Sequence, residues 1–233
     1  MAPEWKKGTL MLTVHHLENS RSQRILWLLE EIGVSYEIKH YERDKQTSLA
    51  PKELLDIHPL GKSPVITDDG LVVAESGAIV EYLIETYGEG KLLPVGDAQD
   101  RLDYRYWLHH AEGTAAAQLV MKLIFTRIKE QKLPPIVKQV AHMIANKVLE
   151  SYVDPNVQRN MKHWEEALSE TGWFAGDELS GADIMMSFPL EAAAVRAGLG
   201  RTYPNISDFL DRIHALPAYQ RALAKGGTYD FVQ

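Results

Sequence analysis

The apolar pattern of this chain changes period once, across residues 88–96, and that change decides most of what the chain can fold into. Before it, short β-leaning runs alternate with helical stripes. After it, only the 3.6-residue period of amphipathic helices is left. Leu10 to His15 reads as a first strand. Polar residues Glu18 to Gln23 follow, and then Ile25, Leu28, Leu29 and Ile32 share one helical face, with Gly33 where a C-terminal cap belongs. Ser35 to Tyr41 reads as a second strand with Tyr36, Ile38 and His40 on one side, and a short helix is expected near Leu49 to Ile57. Pro64 to Thr67, the turn Asp68-Asp69-Gly70, and Leu71 to Ala74 spell a hairpin, since Asp-Gly is a strong turn pair. A helix burying Ile79, Val80, Leu83 and Ile84 closes the segment.

The resulting order, βαβαββα, predicts one mixed sheet with helices on both faces, an α/β thioredoxin-like domain over residues 10–88. Gly88 to Gly96, with Gly90 and Pro94, reads as a linker. Residues 97–233 are expected to form an all-α helical domain. Tyr104, Leu108, Ala111, Ala115, Leu119 and Leu123 make one long stripe, and Pro134-Pro135 ends it and starts the next helix. Further helices are expected at about 155–170, 180–197, 205–214 and 217–224. Ser180-Gly181-Ala182-Asp183 spells a capping box, with Leu179 and Ile184 as its hydrophobic staple.

Several functions are excluded at this stage. With 32 acidic and 25 basic residues and no basic run, the chain is a poor partner for nucleic acid. It has no cysteine, so a disulfide framework, thiolate metal ligation and a protein-thiol mechanism all fall away, and a reducing compartment fits. The best apolar run, Ala115 to Phe125, contains Gln118 and Lys122 and is too short for a bilayer, so no membrane partner is expected. Met1 to Thr9 lacks the apolar core of a signal peptide, which makes the cytoplasm the expected location. Gly61-Lys62-Ser63 resembles the end of a phosphate loop, but Asp56 stands where that motif needs glycine, and Pro64 removes a donor. His15-His16 and His109-His110 lack metal-ligand spacing, so no metal is expected.

Two pairs remain: Ser63-Pro64 before the hairpin, and Glu75-Ser76 where the hairpin enters a helix. Each alone reads as a strand starter or a helix cap. Together with Asn19 to Glu31, His58 to Ile66, Val73 to Ile79 and Leu179 to Ile184, on this frame, they resemble the cytosolic glutathione transferases over nearly the whole length. The first of these segments is similar to a fungal and bacterial subgroup with a non-cysteine active-site loop.

The resemblance implies that Pro64 is a cis-proline whose turn presents the Ser63 backbone to the cysteinyl backbone of glutathione. It implies that Glu75 takes the ligand's α-amino group, and that Ser76 with the helix N-terminus takes its α-carboxylate. Lys62, with Lys45 as a second candidate, would meet the glycyl carboxylate. The thiol-activating residue of the family lies in the loop after the first strand. Ser20 is the first choice there; Asn19 and Ser22 compete, and Ser22 doubles as a candidate helix N-cap. Tyr104, Trp107, Ala111 and Thr114 are candidates either for the second-substrate pocket or for core. The family also implies a homodimer in which the region around Asp103 approaches the partner's glutathione site.

The expected chemistry is activation of the glutathione thiol for attack on a small hydrophobic electrophile or a hydroperoxide. Two other readings stay open: glutathione-dependent disulfide reduction, which without a protein cysteine needs two glutathiones in one site, and a non-catalytic glutathione-binding protein on the same fold.

Overall fold

The structure, a computed structural model, describes residues 12–199 and 202–232. They fall into two compact units: residues up to Lys91 together with Leu216–Asp230, and Leu92–Ala215 with the last residues of the chain.

The first unit is built on a four-stranded sheet in the order β2-β1-β3-β4. Strand β1 (Thr13–Leu17) runs parallel to β2 (Glu37–Tyr41) and antiparallel to β3 (Val65–Asp68), which forms the hairpin with β4 (Leu71–Ala74). Helix α1 (Ser22–Ile32) connects the parallel pair, which, unlike a hairpin, needs a crossover between its strands. Gly33 ends it at φ 83°, where its N–H bonds the Leu29 carbonyl, a conformation that glycine alone adopts without cost. Helix α2 (Ser76–Tyr87) buries Ile79, Val80, Leu83 and Ile84, the face read from the sequence.

Three expectations shift. The first strand begins at Thr13 and runs through Leu17, while Leu10 and Met11 lie outside the described residues. The helix expected at 49–57 is only a 3₁₀ turn at Lys52–Asp56, because Pro51 and Pro59 leave too few residues to nucleate an α-helix. Helix α9 (Pro217–Gly226), expected in the helical domain, belongs with the first unit. It packs along α1, with Tyr219 edge-on to the fully buried Trp27 at 5.2 Å between ring centroids. Arg221 and Lys225 pair with Glu30 on the same helix face.

The second unit is helical. Helices α3 (Ala98–His110) and α4 (Ala117–Glu130) are continuous through a π turn at Ala111–Ala116, and α5 (Pro135–Val148) and α6 (Asp154–Ala167) through another at Leu149–Val153. Helices α7 (Gly181–Ala197) and α8 (Pro204–His214) complete it. The alanines Ala111 and Ala115 are fully buried, which lets α7 approach. The capping box forms as read. The Asp183 carboxylate accepts from the Ser180 N–H and hydroxyl, each at 2.8 Å, and from the Phe174 N–H at 2.8 Å.

Candidate active site

Strand directions bring the sequence candidates of the first unit to one end of the sheet. Asn19 and Ser20 lie in the loop that follows the C-terminal end of β1 and leads to Ser22 at the start of α1. Ser63 and Pro64 precede β3, which is antiparallel to β1, and so lie at that same end. Glu75 and Ser76 follow β4, whose Ala74 is paired with Val65 directly after Pro64. Lys45 follows the C-terminal end of β2, which runs parallel to β1. Loops at the carboxyl ends of parallel strands are where α/β sheets take ligands.

The Ser63–Pro64 bond is cis. The Ser63 side chain ties this turn to β1: its hydroxyl donates to the His15 carbonyl at 2.8 Å and accepts from the Leu17 N–H at 3.3 Å. Its backbone N–H and C=O enter no turn, loop or cap hydrogen bond among the described residues, so both can pair with an added strand. Sequence reasoning missed the hydroxyl tie. Pro64 itself is buried and Lys62 is exposed.

Glu75 holds φ 73° and ψ 127°, an unusual conformation for a residue with a Cβ. Such outliers cost on the order of 1–3 kcal/mol and persist where surrounding structure demands them. Here the carbonyl of Glu75 starts α2 by accepting from the Ile79 N–H at 2.9 Å, while its exposed carboxylate has no ion pair among the described residues. Ser76 is the first residue of α2 and is 4% exposed, and its hydroxyl makes no hydrogen bond among the described residues. An acid, an unpaired hydroxyl and a helix N-terminus thus stand together.

In the loop after β1 the three candidates separate. Asn19, at φ 49°, is committed: its amide donates to the Asp230 carboxylate at 2.8 Å and its carbonyl accepts from the Asp230 N–H at 2.7 Å. Ser22 is fully buried and is the first residue of α1 rather than its N-cap, which is Arg21 without a side-chain bond. The Ser22 hydroxyl oxygen accepts from the Leu17 N–H at 3.2 Å and lies 2.9 Å from His16 Nδ1 and 2.8 Å from Ser20 Oγ. Ser20 is 6% exposed, and its oxygen accepts from the Ser22 N–H at 3.2 Å.

Arg43, which sequence reasoning passed over, braces this loop by donating to the carbonyls of Glu18 and Asn19. The paired histidines point to opposite faces of β1, as strand geometry dictates. His15 bridges Tyr41 and Thr67, while His16 faces α1 through Ser22. Burial, helped by nearby His40, pushes the His16 pKa down to about 4, so the ring is neutral near pH 7. Among the described residues, no group of three or more His, Cys, Asp or Glu side chains is placed to hold a metal ion.

Of the four candidates in the second unit, Tyr104, Trp107 and Ala111 are buried in the core, Trp107 against Phe174 at 4.7 Å between ring centroids. Only Thr114 is exposed. It opens onto a groove of about 680 Å³ shared with Tyr106, His109, His110 and His163. The long helical stripe carried both core and surface positions, and periodicity alone did not separate them.

Residues 11–85 match the family model described as glutathione S-transferase, N-terminal domain, and residues 117–217 the model described as glutathione S-transferase, C-terminal domain. The chain is 33% identical to glutathione S-transferase 1 of Saccharomyces cerevisiae, covering 94% of this chain and 98% of that one. It is 31% identical to glutathione S-transferase 3 of Schizosaccharomyces pombe, covering 92% and 88%. A crystal structure of a glutathione S-transferase from Actinobacillus pleuropneumoniae superimposes with a TM-score of 0.76 at 35% identity, covering 95% of each chain. The same fold recurs in Ure2p5 of Phanerochaete chrysosporium, crystallised with 1-(S-glutathionyl)-2,4-dinitrobenzene, at 19% identity and a TM-score of 0.70 over 94% of this chain and 96% of that one.

Proposed function

Because this chain belongs to the glutathione S-transferase family, with glutathione as its co-substrate, we propose that it activates the glutathione thiol at the sheet end just described. The thiolate then attacks a small hydrophobic electrophile or a hydroperoxide. The proposal includes a homodimer working in the cytoplasm. The observation that carries the reading is the convergence of Ser20, the Ser63–Pro64 turn and the Glu75–Ser76 helix start at one end of one sheet.

Each group has a task its chemistry suits. The free N–H and C=O of Ser63 pair with the cysteinyl backbone of glutathione. The Glu75 carboxylate takes the α-ammonium group. The Ser76 hydroxyl and the N-terminus of α2 take the α-carboxylate, where the helix dipole favours an anion. Lys62, and at longer reach Lys45, face the glycyl carboxylate. Ser20 donates its hydroxyl hydrogen to the sulfur. The tie of Asn19 to Asp230 and the full burial of Ser22 favour Ser20, which is 6% exposed, for this role.

Magnitudes agree with this division. A free thiol of pKa near 8.5 is only a few per cent ionised at pH 7. Lowering it by about two units takes about 2.7 kcal/mol. A hydrogen bond to a charged group supplies roughly 1.5–3 kcal/mol, and the start of α1 adds up to about 1 kcal/mol. The direct test is ultraviolet absorbance of the bound thiolate against pH. In Ser20→Ala the bound thiol titrates close to free glutathione, affinity for glutathione is nearly unchanged, and turnover at pH 7 falls roughly ten-fold or more. A Ser20→Ala protein that titrates like the parent would assign activation elsewhere. Electrophile, hydroperoxide and mixed-disulfide assays run side by side divide the activities.

A further inference from the structure

We propose that His16 is a positioning residue, which acts through Ser22 to aim the Ser20 hydroxyl hydrogen at the glutathione sulfur. This rests on the reading that Ser20 activates the thiol. The observation is an unbroken hydrogen-bonded line inside the first unit. His16 Nδ1 lies 2.9 Å from Ser22 Oγ, and Ser22 Oγ lies 2.8 Å from Ser20 Oγ. His16 is 1% exposed and Ser22 is fully buried, so no solvent competes along the line until Ser20.

Counting hydrogens gives the line a direction. The imidazole is neutral and holds one N–H. Nε2 makes no hydrogen bond of normal geometry among the described residues, although the Gly226 backbone lies near enough to favour a proton on the ring. A buried N–H left without an acceptor costs about 1–3 kcal/mol, and an unpaired acceptor is better tolerated. The Ser22 contact at 2.9 Å is met in either tautomer; with no acceptor of normal geometry at Nε2, the hydrogen sits on Nδ1. The other ring facing His16 is His40, edge-on at 5.6 Å between centroids, which adds no hydrogen bond to either nitrogen.

With His16 donating, Ser22 Oγ receives two hydrogens, one from Nδ1 and one from the Leu17 N–H, which it shares with Ser63 Oγ. Both lone pairs of a hydroxyl are then used, and its own hydrogen must go outward. Ser20 Oγ at 2.8 Å is nearer than the Leu17 carbonyl at 3.2 Å. Ser20 Oγ in turn accepts from Ser22 Oγ and from the Ser22 N–H. Its own hydrogen is left over and points to the ligand side. In the opposite tautomer every donor reverses. Ser22 would donate to Nδ1, Ser20 would donate to Ser22, and Ser20 would turn lone pairs toward the sulfur, where a thiolate is repelled. The tautomer of one buried imidazole thus decides whether Ser20 is a donor or an acceptor at the site.

The test uses the full chain and glutathione as the probe. Imidazole ¹⁵N chemical shifts of the parent should report the Nδ1–H tautomer for His16; an Nε2–H signal overturns the proposal without any variant. In His16→Phe the bound thiol should titrate about one pH unit higher, a ten-fold loss of thiolate at fixed pH. Affinity for S-methylglutathione, which has no thiol to ionise, should stay unchanged. His16→Asn, whose amide nitrogen can take the Nδ1 place and donate to Ser22, should titrate near the parent. The double variant His16→Phe, Ser20→Ala should match Ser20→Ala alone, an identity that a merely structural histidine would not produce. If Ser20→Ala shifts the titration and His16→Phe does not, the relay is wrong and the Ser20 reading stands. If Ser20→Ala shifts nothing, the Ser20 reading fails and the relay fails with it. If His16→Phe does not fold, the tautomer and the His16→Asn titration decide, and an Asn variant titrating like Ser20→Ala overturns the proposal.

Discussion

His16 and His110 are both held neutral by burial, and that has a stability consequence with a definite sign. Burial, seconded by His40, pushes His16 down to about 4; burial, seconded by His163, does the same to His110, whose Nε2 accepts from the Trp164 indole at 3.0 Å. In the unfolded chain both titrate near 6.5. Between about 6.5 and 4 the unfolded chain binds more protons, so stability is fully present above that window and is lost as pH falls through it. Asp183 works the other way. Burial raises it to about 6, so between its unfolded value near 3.8 and 6 the folded chain holds the extra proton, and acidification stabilises. His110 and Asp183 share the second unit and offset in part. The urea midpoint of the parent should fall between pH 7 and pH 4.5, and fall less in His16→Phe. Equal falls would remove His16 as a source. At this scale the sequence identified the groups at the sheet end but not what holds them. Nothing near Asn19 announces a partner 211 positions later at Asp230. In the sequence His16 offers only a metal-ligand reading, because its contact with Ser22 exists only once the chain has turned from β1 into α1.

Helices with one buried face were legible because periodicity is a direct record of burial. The Ile25, Leu28, Leu29 and Ile32 stripe ended by Gly33 became α1, and the Asp-Gly turn became the β3–β4 hairpin. Elements whose hydrogen bonding departs from the α pattern were not legible. The π turns at Ala111–Ala116 and Leu149–Val153 insert into long helices without breaking their apolar stripes. Helix α7 is buried on all sides from Gly181 to Ala193, so its boundary was readable through its cap rather than its face. That cap carries a prediction. The Asp183 carboxylate holds the Phe174 N–H, the Ser180 N–H and the Ser180 hydroxyl in a fully buried site. Asp183→Ala strands both N–H groups and should cost roughly 2–4 kcal/mol, against about 1 kcal/mol for Ser180→Ala. Urea unfolding measures both. An Asp183→Ala midpoint equal to the parent's would show that the box contributes nothing to stability.

For the whole chain, the sequence gives no sign that the path leaves the first unit at Lys91 and returns to it at Leu216. The stripe of α9 is an ordinary amphipathic one, and a stripe says that a face is buried without saying against what. Only the folded chain shows that Tyr219 and Arg221 answer Trp27 and Glu30. Surface left uncovered is informative in a similar way. On α3, Leu102 is 58% exposed and Tyr106 46% exposed, flanking Asp103, around which the family resemblance expects a second copy to dock. Apolar groups grouped on a surface mark an interaction site more often than scattered ones do. A homodimer using this face should bury upwards of ~2,000 Å² and resist dilution. Light scattering at micromolar concentration should therefore give twice the 26.3 kDa chain mass. Leu102→Glu should move the mass toward one chain on dilution, because it sets a carboxylate into an apolar contact, where an unpaired charge costs several kcal/mol. A parent that scatters as a single chain would overturn the dimer. A parent dimer that Leu102→Glu leaves intact would move the interface off the start of α3.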